Sequence, residues 1–214
     1  MTSPSADDLD APAAPQLYLV TPPAFETAVF APRLAACLDT VAVGCVRLAL
    51  AGRDEDAISR AADALREICH ARDVALVIET HARLAARLGL DGVHLTDGPR
   101  SLRAVRKDLG EDAIVGTFCA ASRHDGMTAA EVGADYVSFG PVTATAFGTA
   151  EPAPQDLFEW WSEMIEVPVV AEGGLDEGRV RALAPFTDFF AFGDELWTTP
   201  DPAATLRALH AATL

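Results

Sequence analysis

The sequence predicts a single (β/α)8 TIM barrel, and three observations carry that expectation. Eight short apolar segments alternate with amphipathic helical stretches between Gln16 and the end of the chain. One complete unit, Gly116 to Val142, reads strand, polar turn, helix, Gly133-Ala134-Asp135 break and second strand, a βαβ crossover that makes its strands parallel. No Pro- or Gly-rich linker divides the chain, so a single closed layer architecture is the economical solution. A doubly wound open sheet is the runner-up, but no G-x-G-x-x-G turn follows the first strand.

Residues 1–15 (MTSPSADDLDAPAAP) hold almost nothing to bury and read as a disordered tail, leaving 16–214 for the barrel. Gln16–Val20 is the first strand, stopped by Thr21-Pro22-Pro23. A helix follows over Phe25–Leu38, with Pro32 placed to start its main segment. Val41–Ala49 supplies strand two. Asp54–Arg72 is a helix whose Ile58, Ala61, Ala62, Leu65 and Ile68 form one apolar stripe. Val74–Ile78 is continuously apolar, as a parallel strand covered on both faces should be. A short helix over Thr80–Leu88 and the strand Gly92–Leu95 come next, and Ser101 is placed to cap the helix that ends near Leu109.

The Gly116 unit provides strands five and six. It is followed by TATAFGTAEPAP, a loop of about 12 residues that is longer than most βα connections, and such loops often carry function. Helix Gln155–Ile165, strand Val167–Ala171, helix Asp176–Leu183, strand Asp188–Phe192 and a last helix from about Asp201 complete the pattern.

Composition narrows the partners. Thirty-two acidic against 16 basic residues give a formal charge of −16, which argues against nucleic acid or an anionic membrane as partner. No apolar run approaches the roughly 20 residues a membrane helix needs, and no secretory signal opens the chain. Cys37, Cys45, Cys69 and Cys119 show no Cys-x-x-Cys spacing and fit reduced thiols in the cytoplasm.

In such a barrel the chemistry sits where the strands exit. Gly173-Gly174 and Gly193, after strands seven and eight, fit a phosphate site built from backbone N–H groups, or are ordinary turns. His94 alternates with Val93 and Leu95, so it points either into the barrel mouth or into a satisfied core. Asp97 is a metal ligand, an acid–base group or a turn former. Glu79 and Glu172 are carboxylates at strand ends, able to join Asp97 around a cation or to remain solvated. Cys119 reads more readily as a buried thiol than as a ligand contact. Ser122 is placed to cap a helix, and Arg123 and His124 beside it offer a cation and a proton carrier.

Four stretches carry a resemblance: LDGVHLTD (90–97), IVGT (114–117), GADYVSFGPVTAT (133–145) and VPVVAEGGL (167–175). With IETHARLAARLGL before them, they resemble the thiamine phosphate synthase and TenI superfamily over roughly Val74 to Phe192. That resemblance implies the barrel, a homodimer and a phosphorylated small-molecule ligand. It also implies an activity joining a thiazole phosphate to hydroxymethylpyrimidine diphosphate, with Mg2+ assisting pyrophosphate departure and no organic cofactor.

The family's site residues carry over only in part. Its Gln-x-Arg-x-Lys on strand two falls on Arg47, Ala49 and Ala51, and its Asn-Asp after strand three on Glu79 and Thr80. The acid after strand four is Asp97, displaced by two positions, and Phe118 replaces a serine. In the strand-six loop Thr145 is kept, while Phe147 and Gly148 replace a Thr and a Lys. Charge-assisted phosphate contacts are each worth about 1.5–3 kcal/mol. Losing the family's cations therefore predicts weak or absent synthase activity through the usual residues, with Arg47 and Arg123 as partial substitutes. The alternatives are a non-catalytic phosphate-ligand binder, or a TenI-like isomerase using His124, Cys119 or His94. For the isomerase, His124 sits three or four residues late relative to the family's histidine.

Overall fold

A computed structural model describes residues 14–52, 54–143 and 151–214. The expected tail, 1–15, falls almost wholly outside the described residues, and Thr145 with most of the loop after strand six does so too.

The strands β1 (Gln16–Val20), β2 (Cys45–Leu48), β3 (Ala75–Glu79), β4 (Gly92–Leu95), β5 (Ile114–Phe118), β6 (Tyr136–Phe139), β7 (Val169–Glu172) and β8 (Phe189–Phe192) close into one barrel in sequence order. Every pair is parallel, and Gln16 to Leu19 of β1 lie against Phe189 to Phe192 of β8 to shut the ring. Helices α1 (Thr27–Leu38), α2 (Glu55–His70), α3 (Ala82–Leu88), α4 (Leu102–Leu109), α5 (Arg123–Val132), α6 (Gln155–Met164), α7 (Glu177–Leu183) and α9 (Pro202–Ala211) form the outer layer. The four-residue α8 (Asp194–Trp197) is inserted directly after β8.

The period-2 alternation of a strand sorts side chains into two compartments. Outward residues such as Leu17, Leu19, Val46, Val93, Val115, Phe139, Phe190 and Phe192 pack under the helices in one continuous cluster. Inward residues form a second, smaller cluster of Tyr18, Cys45, Val77, Tyr136, Val170 and Ala191. This inner cluster fills the middle of the barrel and separates the rim at the carboxyl ends of the strands from a cavity of about 250 Å3 at their amino ends, among Tyr18, Cys45, Ile114, Tyr136 and Phe189.

Several boundaries differ from the sequence expectation. Pro32 lies inside α1, which begins at Thr27 after Glu26. Proline there gives up one backbone bond but keeps helical φ. The second strand begins at Cys45 and not at Val41, because pairing with β1 starts at the Tyr18–Cys45 level. Ser101 does precede α4, yet its hydroxyl donates to Asp97 Oδ1 at 2.9 Å in place of capping. Ser122 caps α5 as expected, accepting from Asp125 N–H at 3.1 Å. Gly133 then ends that helix with φ of 98°, a left-handed conformation that suits glycine.

Gly116 shows how tightly the interior is filled. A Cβ built there would stand 2.0–2.4 Å from ring atoms of Tyr136. That ring is fixed by hydrogen bonds through its hydroxyl to both Tyr18 and His94, so it has little room to yield. Gly116→Ala should cost about 1–3 kcal/mol or more of stability. The expected result is a lower urea midpoint at unchanged m-value, and an unchanged midpoint would contradict this packing.

Candidate active site at the barrel mouth

At the carboxyl ends of the strands a cavity of about 540 Å3 opens among Thr21, Arg47, Glu79, Glu172, the Gly173-Gly174 turn and the Gly193 to Glu195 segment. Among its described lining residues four are carboxylates (Glu79, Glu172, Asp194, Glu195) and one, Arg47, is basic.

Arg47 reaches the mouth because the parity of β2 turns it inward, between the outward Val46 and Leu48. It is 6% exposed. Its two terminal nitrogens donate to the two Glu172 oxygens at 3.1 and 3.4 Å, and its Nε lies 3.7 Å from Glu79 Oε2. Burial works against the charge, but Glu172 and then the neighbouring groups outweigh it, so the guanidinium is held more firmly protonated than usual. Burial raises the Glu79 carboxyl above its ordinary value, while Arg47 pulls it back. The expected role of Arg47 as a free phosphate contact is thus corrected: its terminal nitrogens are already engaged by Glu172.

Beneath this ion pair runs a buried polar chain. Tyr18 OH lies 2.8 Å from Tyr136 OH, which lies 2.9 Å from His94 Nδ1. The Arg47 guanidinium stands 5.8 Å from the centre of the Tyr18 ring. His94 is fully buried with Nε2 unpartnered. Burial first, and Arg47 second, push its pKa well below the ordinary histidine value and keep it neutral. His94 therefore lies in the interior below the mouth, and only one of its two nitrogens is satisfied.

The Gly173-Gly174 turn has left-handed φ of 80° and 76°. A Cβ on Gly174 would stand 2.7 Å from Thr143, so glycine is required there twice over. The turn aims backbone donors at the mouth, where Glu195 collects them. Its Oε1 accepts from Gly174 N at 2.5 Å and Leu175 N at 3.2 Å, and its Oε2 from Gly193 N at 3.0 Å. The three glycines expected at a phosphate site are thus together, with a side-chain carboxylate of the chain itself among them.

The remaining candidates are placed elsewhere. Arg123 is exposed on α5, stacked 4.8 Å over Trp160 and donating to the Asp156 carbonyl, because its position in the helix faces α6. His124 is exposed on the same turn. Ser122 is committed to its cap. Cys119 is 2% exposed in the outer core, its thiol pushed up to about 12 by burial, which leaves it inert. Asp97 is exposed and holds Ser101, whereas Glu79 stays at the mouth facing Arg47. Among the described residues no three His, Cys, Asp or Glu side chains gather in a metal-binding group.

Three contributors were not anticipated. The chain has two tyrosines, Tyr18 and Tyr136, and both occupy inward strand positions, a parity signal already present in the sequence. Glu195 carried no such signal, because its placement depends on the turn into α8.

Fold and mouth together define a (β/α)8 barrel with a charged ligand site at the carboxyl ends of its strands. Comparison makes the assignment finer. The family model described as thiamine monophosphate synthase matches residues 17–188, and the chain belongs to that family. The chain is 45% identical over 196 residues to a thiamine-phosphate synthase of Rhodospirillum centenum, covering 89% of this chain and 94% of that protein. It is 38% identical over 195 residues to one of Erythrobacter litoralis, covering 88% and 91%. Thiamine phosphate pyrophosphorylase from Pyrococcus furiosus superposes with a TM-score of 0.80 at 19% identity, over 92% of this chain and 95% of that one, which shows the shared fold. No helix among the described residues is long and apolar enough to cross a membrane.

Two measurements check the site's electrostatics. Arg47→Met leaves the part-buried Glu172 without its partner and should cost about 1–3 kcal/mol. Adding Glu172→Gln should recover part of that loss, and a lack of recovery would show that the pair is not the cause. His94, whose folded pKa is depressed below 6.5, is neutral when folded but protonated when unfolded at acid pH. Its contribution to stability is therefore fully present above pH 6.5 and declines by up to about 1.4 kcal/mol per unit as pH falls below it. Urea midpoints at pH 7.5 and 5.5 should show a steeper decline in the native chain than in His94→Gln, and equal slopes would refute the assignment.

Proposed function

We propose that this chain catalyses the thiamine phosphate synthase step, joining a thiazole phosphate to hydroxymethylpyrimidine diphosphate with release of pyrophosphate. The observation that carries this reading is a mouth with three converging backbone donors, Gly174, Leu175 and Gly193, in a chain 45% identical to a thiamine-phosphate synthase. Donors of this kind suit a phosphate monoester and need no lysine. The reading includes a phosphorylated small-molecule ligand, a homodimeric cytoplasmic protein, and Mg2+ arriving with the diphosphate.

The residues of the chain act by positioning and by charge. The backbone donors orient the phosphate tail of the thiazole. Arg47 fixes Glu172 beside the turn that presents those donors, and the filled interior beneath closes the floor of the mouth. The diphosphate is the poorly served substrate: the mouth offers it four carboxylates and one guanidinium already paired. Turnover is accordingly slow.

A second reading, a non-catalytic binder of the phosphorylated thiazole, is favoured by the same pairing of Arg47. An isomerase has less support, because His124 and Cys119 lie away from the mouth and His94 is buried beneath it.

Purified protein with both substrates and Mg2+ should form thiamine phosphate above a no-enzyme control. Absence of product, with a rise in Tm on adding thiazole phosphate, would replace the synthase reading with the binder. Absence of both responses would overturn the two together.

A further inference from the structure

We propose that Glu195 is a built-in anion that fills the phosphate nest of this barrel, so that a phosphate binds only by displacing it. This rests on the functional reading above for the identity of the ligand; the role of Glu195 rests on geometry.

Glu195 spans two strand exits with one side chain. Oε1 accepts from Gly174 N at 2.5 Å and Leu175 N at 3.2 Å on the β7 side, and Oε2 from Gly193 N at 3.0 Å on the β8 side. These are the bonds that phosphate oxygens would make, in the same number and from the same donors. A phosphate cannot share them, because two anions in contact repel and compete for the same three donors. Glu172, Glu79 and Asp194 on the same cavity add to that repulsion while Glu195 stays in place. Its departure removes one negative charge and frees three donors in a single movement.

A second observation on the same cavity points to a ligand. Arg47 is 6% exposed, lines the mouth, and leaves its Nε–H without a hydrogen-bond acceptor. An unspent charged donor in a buried position is costly unless something accepts from it. With Glu195 withdrawn, the mouth presents three backbone donors in a cavity that Arg47, at ion-pair distance from Glu79 and Glu172, also lines.

The movement required is small. Glu195 lies in the first turn of α8, directly after Gly193 and Asp194, and is only partly buried. Rotation of its side chain toward solvent vacates the nest without moving a strand. Glu195 then acts as a specificity-determining residue. An anion enters only if it binds the three N–H groups better than a carboxylate already tethered beside them. A phosphate ester, with more charge and more acceptor oxygens, meets that condition where a simple carboxylate does not.

The test uses the full chain and inorganic phosphate as the probe. Isothermal titration should show Glu195→Ala binding phosphate at least about tenfold more tightly than the native chain, a gain of about 1.4 kcal/mol. Glu195→Gln, which keeps a carbonyl acceptor but loses the charge, should show an intermediate gain. Phosphate should also raise the Tm of both variants more than that of the native chain, with chloride at equal ionic strength producing no such difference. Unchanged or weaker phosphate binding in folded Glu195→Gln would overturn the proposal, whether or not the alanine variant folds. Thiamine phosphate formation is scored separately. A chain that makes no product yet shows the phosphate gain loses the functional reading and keeps the role of Glu195.

Discussion

The ion pair between Arg47 and Glu172 is the interaction on which the mouth depends. It joins β2 to β7, strands that are not neighbours, across the open end of the barrel. A guanidinium buried to this degree persists only because a carboxylate meets it in two-point geometry. Glu172 is also the residue before Gly173, so anchoring it anchors the start of the turn that presents the backbone donors. The floor of the site follows from the same residue. Arg47 rests against Tyr18, Tyr18 meets Tyr136, and Tyr136 meets His94, so one chain of polar contacts links the rim to the interior.

The fold was legible because parallel strands covered by helices impose two strong signals at once. Val74–Ile78 is uniformly apolar and Asp54–Arg72 carries a 3.6-residue stripe, and each pattern excludes the other element. What shifted were ends. Val41 to Gly44 are apolar enough to read as strand, but pairing with β1 starts only at Cys45. The four residues after Gly193 are too short a stretch to show helical periodicity, and they form α8.

The site was less legible, for a physical reason. A strand's parity sets His94 on the opposite face from Val93 and Leu95, but parity does not reveal partners. Arg47 looked like a cation available to a ligand; what binds it are carboxylates 32 and 125 residues away in the chain. Arg123 and His124 stood out for their chemistry, but their place in the first turn of α5 carries them outward, Arg123 toward Trp160. The Gly173-Gly174 turn could be placed at a strand exit, because left-handed turns leave a mark in sequence. The group that fills the nest left none.

On the proposed reading, the arrangement also explains how a chain with a formal charge of −16 would accept an anion. Lysines and arginines at the mouth would balance a phosphate by adding positive charge; here Arg47 is the one basic residue among the described lining, and it is paired with Glu172. Exchange of one anion for another achieves a similar balance without a new cation. A carboxylate leaves as a phosphate arrives, and the net change in charge within the mouth is smaller than the charge of the ligand. The unliganded chain gains as well, because three backbone N–H groups at the rim are satisfied by Glu195 and are not left facing a cavity lined by other acids. The same contact that holds the resting turn in shape therefore sets the threshold a ligand must pass.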